Sequence, residues 1–85
     1  MNMKNTEIYQ NIEKILKNEL ASEMEIHIKD DTNLIEDYSL SSMMVLELMI
    51  ELELFYSIEI EEDEFDIETL SEARKIADLI NKKIE

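Results

Sequence analysis

The chain has 85 residues, which points to one domain spanning 1–85, and a domain of that size buries only about 60–65% of the surface its unfolded chain exposes, so its core is thin. With 22 acidic against 8 basic residues the formal charge is −14, which opposes nucleic acid and anionic membrane and favours partners with basic docking surfaces. Cys, Gly and Pro are all absent; this excludes disulfides and thiolate metal sites and argues against a turn-rich all-β fold.

The N-terminal stretch MNMKNTEIYQ lacks an apolar signal region. No run approaches the roughly 18 apolar residues of a membrane span, so no membrane insertion is expected and the cytoplasm is the simplest location. Residues 4–20 are predicted to form the first helix: Ile8, Ile12, Ile15, Leu16 and Leu20 recur at spacings of three and four, with Gln10, Glu13, Lys14 and Lys17 opposite. A long connection follows over residues 21–41. Met24, Ile26 and Ile28 alternate there with polar residues, but an isolated strand has no partner, so a structured loop pinned by Leu34 and Ile35 is expected.

Residues 42–56 are predicted as the second helix, with Val45, Leu48, Met49, Leu52 and Tyr56 on one stripe and Leu46, Ile50 and Leu54 on another. A helix apolar on more than one side is buried or binds a partner. The acidic stretch IEIEEDEFDIETL leaves room for one short helical turn near Glu62–Asp66. The third long helix is expected over 71–84, where Ala73, Ile76, Ala77, Ile80 and Ile84 form one stripe, Thr69 and Glu72 fit a capping box, and Lys82 and Lys83 suit the negative end of the dipole. The sum is an all-α four-helix bundle, three helices long and one short, with a long first loop.

Enzyme and metal chemistry find little support. The single histidine, His27, has no nucleophile at a telling spacing, and its simplest role is that of a loop residue. A calcium loop starting at Asp31 would need Gly and Glu where Glu36 and Ser42 stand. Neither catalytic residues nor metal ligands are assigned.

The stretch Ser39-Leu40-Ser41-Ser42-Met43, followed by Val45, Glu47-Leu48 and Glu51-Leu52-Glu53, resembles the signature that opens the second helix of the acyl and peptidyl carrier proteins, Gly-x-Asp-Ser followed by Leu, Ile or Met. The preceding Asp31–Asp37 is similar to that family's loop, and Glu64-Phe65-Asp66 is similar to a motif of the D-alanyl carrier proteins. The resemblance covers about residues 31–80. It implies that Ser42 carries 4′-phosphopantetheine, attached by a phosphopantetheinyl transferase, and that an acyl or aminoacyl group rides on the arm as a thioester. By the same resemblance Met43, Leu46, Glu47, Ile50 and Glu53 form the face read by loading and transfer enzymes with basic docking surfaces; the chain is expected to be a monomer. Ser39 stands at the family's Gly, Ser41 at its Asp, and Leu70 at the Trp of the D-alanyl carriers.

The residues alone also support Ser42. A serine at a helix start sits beside unpaired backbone N–H groups and the positive dipole end, a favourable place for a phosphodiester. The plainer reading makes Ser41 or Ser42 a helix cap, and lets Leu46 and Ile50 pack under the long loop. An unmodified acidic helical adaptor, binding a basic partner through the second helix, is the alternative function.

Overall fold

The computed structural model describes residues 3–18 and 25–84. Among these it is all-helical, with five α-helices: α1 (Asn5–Asn18), α2 (Leu34–Tyr38), α3 (Ser42–Tyr56), α4 (Ile67–Leu70) and α5 (Ala73–Ile84). A short 3₁₀ turn at Glu62–Glu64 lies where the sequence leaves room for one. The core is the sum of the predicted stripes: Ile8, Ile12 and Leu16 of α1, Val45, Leu48, Met49 and Leu52 of α3, and Ile76 and Ile80 of α5 are all fully buried. Leu20, expected on the α1 stripe, and Met24, expected to alternate with Ile26, lie outside the described residues.

The expectation of three long helices and one short one is corrected to five helices. The first addition, α2, falls inside the long connection. Asn33 starts it: its Oδ1 accepts the N–H groups of Ile35 and Glu36, each at 3.0 Å, and Asp37 Oδ2 accepts the Asn33 N–H at 2.9 Å. Reciprocal capping of this kind holds a turn too short to persist by itself. The second addition, α4, lies just before the expected start of the last helix and takes in Thr69, the residue expected to cap it. Thr69 and Glu72 do not form a capping box. Thr69 lies within α4 and donates to Asp66 Oδ2 at 2.9 Å.

Glu72 instead pairs with Asn33 in an isolated antiparallel bridge. Around that bridge Leu34 N–H donates to Ser71 O at 2.7 Å and Ala73 N–H donates to Thr32 O at 2.9 Å. The long connection is thereby fixed to the α4–α5 junction, and α5 cannot start earlier than Ala73 without breaking the bridge.

Residues 25–29 form no regular element, with Ile26 and Ile28 buried and Glu25, His27 and Lys29 exposed. This is the expected structured loop. With no strand beside it, its backbone is satisfied by side chains: Ile28 N–H donates to Glu13 Oε2 at 2.8 Å and Lys29 N–H to Thr32 Oγ1 at 2.9 Å. Tyr9 Oη donates to Asp30 Oδ1 at 2.6 Å, tying α1 to the end of this segment.

Candidate functional site

The three serines at the start of α3 hold three different backbone states. Ser39 ends α2 in the left-handed region, φ 57° and ψ 31°, and its N–H closes the helix on Ile35 O at 2.9 Å. Few residues without a glycine's freedom accept that conformation, which accounts physically for a glycine at this place in the resembling family. Leu40 then turns into the core, donating its N–H to Leu34 O at 3.3 Å. Ser41 is the N-cap of α3: its backbone is extended and its Oγ accepts the Met44 N–H at 3.1 Å.

Ser42 is the first helical residue, and its side chain is exposed. With Met44 capped by Ser41, the N–H groups of Ser41, Ser42 and Met43 are those the helix itself leaves without a carbonyl partner. No acidic residue lies in the first turn, although the chain has 22 of them. An exposed hydroxyl beside free N–H groups, on the positive end of a helix whose first turn holds no carboxylate, fits a phosphodiester.

Beyond the serines, α3 turns an apolar face outward. At about 100° per residue, Met43, Glu47, Ile50 and Leu54 share the side opposite Val45, Leu48, Met49 and Leu52. Met43 is 60% exposed, Ile50 46% and Leu54 71%, and Glu47 is exposed between them. Leu46 and Glu53 sit at the margin of this face, half-buried. Glu53 is already engaged: its Oε2 accepts the Ile60 N–H at 2.9 Å, holding the chain that leaves the helix.

The sequence-derived site set stops at Glu53 and misses Leu54 and Phe55, both exposed. Leu54 was visible as the third member of the Leu46–Ile50–Leu54 stripe. Phe55 had no periodic signal; it lines a cleft with Leu54, Glu51 and the α1 residues Lys14, Ile15 and Asn18.

Further along the chain, Glu64-Phe65-Asp66 serves as an anchor. Lys83 Nζ lies 2.6 Å from Glu64 Oε1, the same oxygen that accepts the Glu61 N–H at 2.8 Å. These bonds, Lys83 foremost, hold the Glu64 carboxyl below its ordinary range, and Glu64 raises Lys83 in turn. His27 is exposed and lies 3.6 Å from Glu25, as suits a surface loop residue.

The described residues make a small helical domain with exposed serine hydroxyls at a helix start and an exposed apolar face on the same helix. Residues 13–80 match the family model described as the phosphopantetheine attachment site, and the chain belongs to that family. Its domains are carriers, not enzymes, and hold 4′-phosphopantetheine covalently on a serine. They work with transferases and biosynthetic enzymes. No curated protein and no solved structure matches the chain significantly. Among the described residues no helix is long and apolar enough to cross a membrane.

Proposed function

We propose that Ser42 is the attachment serine. The observation that carries this is the division of labour among the three candidates: Ser39 is used as a left-handed helix stop, Ser41 as the α3 cap, and Ser42 stands exposed at the first helical position. In this reading the Ser42 oxygen attacks the coenzyme A phosphorus that bears the pantetheine arm: the Ser O–P bond forms as the P–O bond to the nucleotide half breaks, adenosine 3′,5′-bisphosphate leaves, and the hydroxyl proton passes to a base of the phosphopantetheinyl transferase, which positions the groups with Mg²⁺. The arm, when bound, supplies a thiol on which an acyl or aminoacyl group travels as a thioester.

The single domain of residues 1–85 acts as a cytoplasmic monomer that delivers this group to loading and transfer enzymes. Met43, Leu46, Glu47 and Ile50 form the docking face, an apolar strip with an acidic residue at its centre, suited to partners with basic surfaces. Glu53 borders that face and, through Ile60, fixes the loop that leaves it.

The test is intact mass after incubation with coenzyme A, Mg²⁺ and a broad-specificity transferase, followed by peptide mapping. Ser42→Ala abolishes the mass gain, while Ser39→Ala and Ser41→Ala retain it. A modified Ser42→Ala chain overturns the assignment. A wild-type chain that gains no mass favours the unmodified adaptor.

A further inference from the structure

Three phenols join segments of this chain, and one differs from the others. Tyr9 Oη donates to the Asp30 side chain, and Tyr56 Oη accepts from the Asn11 side chain at 2.7 Å. Tyr38 binds only backbone: its Oη donates to His27 O and accepts the His27 N–H, both at 3.0 Å. One hydroxyl thus satisfies both backbone groups of His27, in a segment that belongs to no regular element. Tyr38 is also the last residue of α2, immediately before left-handed Ser39.

From Tyr38 the chain reaches Ser42 in four residues, no more than about 14 Å even if extended, and the intervening positions are held. Ser39 N–H is bonded to Ile35 O, Leu40 is buried and bonded to Leu34 O, and Ser41 caps α3. The upstream end of this turn is otherwise the C-terminus of a five-residue helix, a length that does not persist without outside contacts. The paired bonds to His27 supply such a contact at that end, while the Asn33–Glu72 bridge supplies one at the other.

We infer that Tyr38 is a positioning residue: by clasping both backbone groups of His27 it fixes the α2–α3 turn and with it the direction in which Ser42 presents its hydroxyl. The inference rests on Ser42 being the attachment serine. The clasp lies at the surface, where water can replace it, so its removal changes global stability little. Its effect is on alignment, and misplacing a reacting atom by a fraction of an ångström to an ångström lowers rate steeply.

The experiment compares Tyr38→Phe with Tyr9→Phe in the full chain, loaded with coenzyme A, Mg²⁺ and a broad-specificity transferase. Tyr38→Phe keeps the ring and removes only the hydroxyl, and circular dichroism checks that each variant is folded. For Tyr38→Phe, kcat for loading falls about three- to tenfold with KM unchanged, and amide exchange quickens at Ser39–Met43 while α1 and α5 keep their protection. Tyr9→Phe lowers the melting temperature and leaves loading as in wild type. The inference is overturned if Tyr38→Phe loads and exchanges like wild type, if only KM changes, or if it slows no more than Tyr9→Phe. Should the wild type itself take up no prosthetic group, the Ser42 assignment falls, and the exchange comparison still decides whether Tyr38 orders the turn.

Discussion

The Ser41 hydroxyl accepts the backbone N–H of Met44 at 3.1 Å, so the residue just before Ser42 is spent on starting the helix. Loss of an N-cap hydroxyl costs about 1 kcal/mol, which in a domain of this size lowers the melting temperature by roughly 4–8 °C. Ser41→Ala is expected to show that loss in thermal denaturation and still accept the prosthetic group. Ser41→Asp keeps a capping oxygen and adds a charge that suits the helix N-terminus, so its melting temperature stays at or above that of wild type. A Ser41→Ala chain as stable as wild type would show that the cap contributes nothing.

Ser57 ends α3 as Ser39 ends α2, with φ 55° and ψ 46°, and donates its N–H to Glu53 O. A side chain with a Cβ pays about 1–2 kcal/mol for this left-handed state, whereas Gly loses about 0.5–1 kcal/mol through its greater freedom when unfolded. The difference favours Gly. Ser57→Gly is expected to stabilise the domain by about 0.5–1 kcal/mol in urea denaturation, with an unchanged m-value. Destabilisation would mean that the Ser57 side chain makes a contribution larger than its strain.

The long helices were legible because each is written as a stripe, and α3 runs over 42–56 as its apolar pattern and leading serines indicate. The short ones were not, for physical reasons. α2 has five residues, too few to show a period, and its signal is the local pair Asn33 and Asp37. The break before α5 is set by Asn33 meeting Glu72, a contact between positions far apart in sequence, while Thr69 and Glu72 offered the right residue types for a cap that does not form. At the candidate site the resemblance singles out Ser42, while the residue types alone leave either Ser41 or Ser42 as the helix cap; the backbone angles and the Ser41–Met44 bond make Ser41 the cap and Ser39 the left-handed stop. The clasp between Tyr38 and His27 has no sequence signature at all.

Tyr9 makes stability depend on alkaline pH. Burial, and then the hydrogen bond to Asp30, push its phenol well above the ordinary range. The folded chain therefore holds this proton more tightly than the unfolded one. Its contribution is fully present below the unfolded value of about 10, starts to fall as pH passes that value, and is lost as pH rises through the higher folded value. Urea stability is expected to fall above pH 10, and Tyr9→Phe to reduce that slope by up to about 1.4 kcal/mol per pH unit, the contribution of one proton. An equal slope in both chains would contradict this.

Net repulsion sets the response to salt. The chain carries 22 acidic and 8 basic side chains, and both lysine–carboxylate ion pairs among the described residues converge on one carboxylate, Glu64. Few attractive pairs are therefore screened when salt is added, while many repulsive ones are. The melting temperature is expected to rise as the Debye length shrinks from about 30 Å at 0.01 M to about 8 Å at 0.15 M ionic strength. A flat or falling melting temperature over that range would show that repulsion does not limit this fold.

Glu47 tests the docking face. It is exposed on the outward side of α3, one turn beyond Met43 and one before Ile50, so a partner that seats its apolar groups on Met43 and Ile50 brings its charges close to this carboxylate. Reversing the charge leaves the core untouched, and far-ultraviolet circular dichroism is expected to be unchanged. The association rate with the transferase should drop severalfold at low ionic strength and approach wild type as salt rises, because a charge at the rim of an interface acts mainly on encounter. Net charge alone could produce part of that drop. Asp63→Lys supplies the control: it makes the same change in total charge at an exposed position in the 3₁₀ turn, next to the Glu64–Lys83 anchor. If Glu47→Lys slows loading more than Asp63→Lys, the effect belongs to the α3 face. If the two variants slow it equally, the partner senses only the overall field, and the Met43–Ile50 strip is not where it docks.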